Sequence, residues 1–165
     1  MHPSEIPQVV ALLKSASKWA SKRSFTWTAA DIGARVMGSH AERNELFGCS
    51  RNGDLLGCFV LQSEDKVHWP EDRAGEALYL HKLAVKLSAR GQGIGEALID
   101  FACRAARRRR VEMLRLDTIP DTPLVAYYCR MGFRADPNGP ADFGGRRLIR
   151  MERPVGSPSQ GPGHA

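Results

Sequence analysis

The stretch richest in chemistry is Arg90-Gly91-Gln92-Gly93-Ile94-Gly95. Its three glycines remove the Cβ atoms that would keep a ligand away from the backbone, and a helical pattern starts directly behind them. The first N–H groups of a helix have no internal partner, so a strand-loop-helix corner of this kind is an anion site, suited to a phosphate or pyrophosphate. Glycines also permit close helix-to-strand packing, so the loop alone is equally compatible with a structural role. Other reactive residue types are dispersed. Cys49, Cys58, Cys103 and Cys129 contain no CxxC pair and read as small packed thiols, and His2, His40, His68, His81 and His164 are scattered. No metal is implied.

The elements that must position this loop can be read on both sides of it. Ala77 to Val85 reads as a strand, and Gly93 to about Arg109 as a helix with Ile94, Leu98, Phe101 and Ala105 on one face and Ala97 and Ala102 beside it. Glu112 to Asp117 is a further strand, so the helix is expected to cross back over the sheet in a βαβ unit. Upstream, apolar residues at Ile6, Val9, Val10, Leu13, Ala16 and Ala20 predict a helix to about Ser21 with one buried face. Phe25 and Trp27 follow in a connector, where they cover the core or line an acceptor pocket, and Thr28 caps a second helix, Ala29 to Met37. Strands from Glu45 to Ser50 and Leu55 to Leu61 flank Asn52-Gly53, the strongest short hairpin signal, since both residues tolerate the positive φ of a type I′ turn. The polar run from Ser63 to Glu76 reads as a mobile surface loop. Downstream, Thr122-Pro123 starts a helix that Gly132 ends, and strands follow from Phe133 and from Arg146 to Met151. The order predicts an α/β domain with a mixed, mostly antiparallel sheet flanked by helices, covering residues 1–153, with 154–165 as a disordered tail.

Composition sets the limits. A chain of 165 residues that is 42% hydrophobic and 25% charged is large enough for one domain with a core. No run approaches the roughly 18 apolar residues of a membrane span, so no membrane partner is expected. The opening MHPSEIPQ lacks a basic segment followed by an apolar core, so a cytoplasmic location is expected. The formal charge of +6 favours an acidic partner, and phosphates of a nucleotide cofactor or of nucleic acid satisfy it equally.

Two motifs together carry a family resemblance. Arg90, Gly93 and Gly95 match the (Gln/Arg)-x-x-Gly-x-(Gly/Ala) loop of the GCN5-related N-acetyltransferase (GNAT) superfamily. Leu124-Val125-Ala126-Tyr127-Tyr128-Cys129-Arg130-Met131-Gly132-Phe133 resembles its second signature, a tyrosine five residues before the phenylalanine of a Gly-Phe pair. Two departures stand beside the match. The chain begins too close to its first helix for the strand with which the family usually opens, and Asp121 stands where many relatives have asparagine.

The resemblance implies acetyl-CoA as co-substrate and acetyl transfer to a primary amine by direct attack. The backbone N–H groups of Gln92, Gly93, Ile94 and Gly95, with Gly91 in the same loop, would then face the pyrophosphate, and Arg90 would add an ionic contact. Backbone donors around Leu83, Ala84 and Val85 would hold the thioester carbonyl. Tyr128 would protonate the departing thiolate, since a phenol of pKa about 10 keeps its proton at neutral pH. Candidates to take the amine proton are His81 and Glu76, directly or through water. Trp27, Trp69 and the Ser63–Glu76 loop would shape the site for a small-molecule or peptide amine, and pairing through the final strands would make a homodimer. Two other readings remain open. One is a catalytically silent acyl-CoA-binding module. The other is a basic nucleic-acid-binding protein using Arg104, Arg107, Arg108, Arg109 and Arg110, although no zinc-finger, helix-turn-helix or stacking signature accompanies that run.

Overall fold

The computed structural model describes residues 1–21 and 27–156; the expected role of Phe25 lies outside them. The elements are α1 (Ile6–Ser21), α2 (Ala29–Ile32), α3 (Ala34–Glu42), β1 (Leu46–Arg51), β2 (Asp54–Gln62), β3 (Ala77–Val85), α4 (Ile94–Arg108), β4 (Met113–Thr118), α5 (Pro123–Arg130), β5 (Arg134–Ala135), β6 (Ala141–Phe143) and β7 (Arg146–Pro154). The strands order as β1-β2-β3-β4-β7-β5 with β6 beside β7, and only the β3–β4 pair is parallel among the registers described. This is the mixed, mostly antiparallel sheet expected. The chain forms two compact units: Met1–Leu61 with His81–Leu98, and Gln62–Leu80 with the chain from Ile99 onward.

The first unit is built on the amphipathic face of α1. Val9 and Leu13 are fully buried and pack with Ile32, Met37, Leu46, Leu55, Cys58, Val60 and Ala84. Each such aliphatic side chain contributes roughly 1.5–3 kcal/mol. The second expected helix is broken in two at Gly33, whose extended ψ of 161° interrupts the turn, and α3 continues to Glu42, beyond the expected end at Met37. The hairpin follows the sequence closely: Asn52 and Gly53 have φ of 52° and 78°, as a type I′ turn requires.

In the second unit β4 pairs along its whole length with β7, from Met113↔Pro154 to Thr118↔Ile149, and Ile99, Ala102, Ala106, Leu114, Leu116, Phe133 and Met151 are buried. The buried stripe of α4 is Leu98, Ile99, Ala102, Cys103, Ala105 and Ala106. Phe101, expected on that stripe, is half-exposed and covered instead by the guanidiniums of Arg108 and Arg104, 5.8 and 6.0 Å from its ring centre. The packed chain also extends past residue 153. β7 includes Pro154, and Val155 is buried with its N–H on Glu112 O at 2.8 Å. Residues 157–165 of the expected tail lie outside the described residues.

The Ser63–Glu76 segment is anchored, contrary to the expected mobile loop. Trp69 is buried against Tyr79, and the guanidiniums of Arg150 and Arg115 lie 4.6 and 4.7 Å from its ring centre. Asp72, itself buried, accepts from Tyr79 Oη and Arg115 Nη1, and Glu71 accepts from Arg150. A polar sequence of this length is pinned because its carboxylates find two arginines and its single large aromatic finds a strand. Among the described residues no helix is long and apolar enough to cross a membrane.

Candidate functional site

The glycine loop lies in the first unit, between a short 3₁₀ turn at Leu87–Ala89 and α4. Gly91 and Gly93 both have φ of 73°, and a Cβ added to either would meet nothing within 4 Å. The positive φ, not crowding, therefore selects glycine, and the space above the backbone is open to a ligand. The first helical bond back to the loop runs from Ala97 N–H to Gly93 O at 3.0 Å, so the N–H groups of Ile94, Gly95 and Glu96 precede the helical ladder. With the positive end of a 15-residue helix behind them, these donors are of the kind that suits a phosphate.

Two contacts hold the loop in this form. Gln92 Nε2 donates to Ser88 O at 3.2 Å, and the Arg90 guanidinium stacks on the indole of Trp19 in α1, 3.7 Å from its centre. The sequence offers Arg90 as an ionic contact and gives no reason to pair it with Trp19. Gly57 in β2 seats the start of the helix: a Cβ there would lie 2.8 Å from Leu98 Cδ1 and 3.1 Å from Ile94 Cγ2 and from Ala84 O.

The strand before the loop carries an irregularity that hydrophobic pattern could not show. Its parallel pairing with β4 covers Ala77↔Met113, Leu78↔Leu114 and Tyr79↔Arg115 and stops there. Lys82, inside the strand, has φ of 53°. A left-handed lysine in a strand breaks the pleat. His81 stands half-buried just before this break, and Leu83, Ala84 and Val85 follow it, with Ala84 buried.

Tyr128 and Glu76 belong to the second unit. Tyr128 is buried on α5, edge-on to Phe133 with ring centres 5.7 Å apart and to Tyr127 at 5.4 Å. Burial, then the neighbouring Tyr127 and the Asp117 carboxylate, raise its pKa well above the usual phenol, so the hydroxyl remains a proton donor. Gly132, at φ 84°, ends α5 as expected, but Thr122 turns its hydroxyl to Ile119 O at 2.9 Å instead of capping the helix.

Glu76 is exposed and bound: it accepts from Arg73 N–H at 3.2 Å and from two nitrogens of Arg115 at 3.1 Å. These bonds, the backbone one first, hold its pKa below the usual carboxylate range, which makes it a weaker proton acceptor than an unpaired glutamate. Trp27 is half-buried against the core of the first unit, with its backbone N–H on Ser17 Oγ at 2.8 Å, so it covers the core. Trp69, expected to shape the acceptor site, is buried beneath its two arginines.

Comparison with known proteins decides the family. Residues 8–133 match the model of the acetyltransferase (GNAT) family. The chain belongs to that family. The GNAT chain is 28% identical over 142 residues to YesJ of Bacillus subtilis, described as an uncharacterized N-acetyltransferase, with 79% of each sequence covered. Its fold is similar to that of the PaiA N-acetyltransferase of Thermoplasma acidophilum, solved with coenzyme A, at TM-score 0.74 and 16% identity over 93% of this chain and 95% of that one. It is similar also to the ribosomal-protein-alanine N-acetyltransferase of Brucella melitensis, at TM-score 0.71 and 19% identity over 93% and 96%. The glycine loop and the Tyr128 helix both lie within the residues the family model matches.

Proposed function

We propose that this GNAT protein transfers the acetyl group of acetyl-CoA to a primary amine by direct attack. The observation that carries the reading is the open glycine loop at the start of α4, where N–H groups preceding the helical ladder, left-handed glycines and a stacked arginine suit a pyrophosphate. Family membership supports acetyl-CoA as its occupant, and the coenzyme A bound in the PaiA relative supports the same cofactor.

The chemistry has three requirements. The thioester carbonyl must be polarised as negative charge develops on its oxygen, a task for backbone donors of the strand segment Leu83-Ala84-Val85 beyond the Lys82 break. The amine must lose a proton. The departing thiolate must gain one, and Tyr128 is the donor by motif, its burial keeping the hydroxyl protonated. A covalent acetyl-enzyme is not needed. Cys58 and Cys103 are buried with their thiol pKa values pushed up by burial, and a thiol that holds its proton is a poor nucleophile.

Two-substrate initial rates test the direct route. Intersecting lines in double-reciprocal plots, with no acetylated protein detected by intact mass after incubation with acetyl-CoA alone, are expected. Parallel lines with a stable mass increase of one acetyl group would replace direct attack by a two-step transfer.

A further inference from the structure

A run of arginines at the end of α4, in the second unit, is absorbed by neither motif. Arg104, Arg107, Arg108, Arg109 and Arg110 place five guanidiniums in seven residues, and all five residues are exposed. Among the described residues none of them pairs with a carboxylate. Asp100, the one acid between Ile99 and Val111, lies 4.0 Å from Arg153 Nη1, and Arg107 Nε–H donates to the neutral carbonyl of Val155 at 2.7 Å. Arg115 and Arg150 of the same unit are treated differently. Carboxylates match both, Asp72, Glu76 and Glu152 for Arg115, and Glu71 and Asp136 for Arg150.

Helix electrostatics accounts for part of this run. The negative end of the helix dipole favours cations in the last turn, where Arg107 and Arg108 stand. It does not account for Arg104, one turn earlier, whose like charge four residues from Arg108 opposes the helix. Nor does it account for Arg110. The Arg110 N–H bonds Arg107 O and the Val111 N–H bonds Ala106 O, both at 3.0 Å, and Arg110 has φ of 57°. This is the left-handed C-terminal cap that glycine fills with least strain. Two local preferences are thus overridden in favour of positive charge on one surface.

We propose that this surface docks the phosphodiester backbone of a nucleic-acid duplex, independently of base sequence and of sugar. The run contains no lysine, and the planar fork of arginine matches phosphate oxygens two at a time. From Arg104 to Arg110 the chain rises roughly 9 Å at about 1.5 Å per residue, a length that faces about three phosphates of one strand. Phe101, the aromatic of this face, is roofed by the guanidiniums of Arg108 and Arg104, 5.8 and 6.0 Å from its ring centre. That cover favours backbone contact over stacking of an unpaired base. The exposed large apolar side chains, Val67, Leu87 and Leu124, all lie off α4, so the helix offers no wedge to a bilayer.

Fluorescence anisotropy on the full chain, with a short labelled DNA duplex and the RNA duplex of the same sequence, tests the proposal. Both are expected to bind, about fortyfold more weakly at about 200 mM salt than at about 50 mM, the slope of roughly −3 that three phosphate contacts give. Arg104→Gln combined with Arg108→Gln should reduce that slope to about −1 without lowering the melting temperature. Arg110→Gly should raise the melting temperature while weakening duplex binding, a combination that a purely structural arginine would not give. Failure to bind either duplex at low salt, a double variant with the wild-type slope, or binding lost only in variants that also melt earlier would each overturn the proposal. Tighter binding of a polyglutamate of matched charge would overturn it too, assigning the surface to an acidic protein. Each outcome is read without acetyl transfer, so the enzymatic reading stands or falls separately.

Discussion

The guanidinium of Arg90 lies 3.7 Å from the centre of the Trp19 ring, a contact between the glycine loop and the first helix of the chain. It turns a surface arginine into an oriented cation at the edge of the proposed pyrophosphate site. Replacing Arg90 by Ala is expected to raise the KM for acetyl-CoA about tenfold, or ~1.4 kcal/mol, with little change in kcat. Trp19→Ala should give a smaller rise, because the charge remains while its orientation is lost. Steady-state kinetics on both variants checks this, and an effect confined to kcat would contradict it.

Gly93 separates ligand binding from folding. A Cβ at this position meets no neighbour, so Gly93→Val is expected to cost about 1–2 kcal/mol for a left-handed non-glycine residue. Over the same range it should abolish detectable acetyl-CoA binding, because the branched side chain occupies the ligand's space. Gly57→Val is expected to behave in the opposite way. Its Cβ would collide with Leu98 and Ile94, and the first turn of α4 would be displaced along with the loop it carries, so stability and binding should fall together. Thermal melts paired with titration calorimetry distinguish the two patterns.

Tyr128→Phe removes one hydroxyl from a buried, aromatic-packed position. If that hydroxyl protonates the thiolate, kcat should drop roughly tenfold to a hundredfold, given the size of general-acid effects and the stability of a thiolate as a leaving group. Acetyl-CoA affinity should stay within about twofold. An unchanged kcat would leave Tyr128 as a packing residue.

The phenols also set an alkaline limit. Burial raises the pKa of Tyr128, and burial together with Asp72 raises that of Tyr79. Between the unfolded value of about 10 and the higher folded values, the native state keeps protons that the unfolded state releases, so stability is full below pH 10 and falls above it. Chemical denaturation between pH 9 and 11 should show that decline, and Tyr128→Phe should make it shallower.

What the sequence revealed follows from which signals are local. The Asn52-Gly53 hairpin, the α1 face and the loop at Arg90 to Gly95 each depend on neighbours in the chain, and the structure places them as expected. The break at Lys82 was hidden because φ leaves no mark on hydrophobic alternation. Trp19 beneath Arg90, and Trp69 beneath Arg115 and Arg150, depend on residues far apart in sequence. Their types suggest contact only after the fold brings them together. Asp65 and His68 are an instructive exception. Their spacing is local, but a polar run with no hydrophobic period reads as loop, and the turn that joins them is set by Asp65 accepting its own following N–H groups. Phe101 was misplaced because helical period alone does not tell an aromatic on the core face from one roofed by arginines.

The central claim is tested most directly by titrating acetyl-CoA into the purified protein and, in the same preparation, following free-thiol release over a panel of primary amines. The account predicts micromolar binding, lost in Gly93→Val, together with thiol release that requires both an amine and the bound acetyl-CoA. Tight binding without release by any amine would contradict the enzymatic reading and leave an acyl-CoA-binding module, and absence of binding would remove the pyrophosphate site on which the account rests.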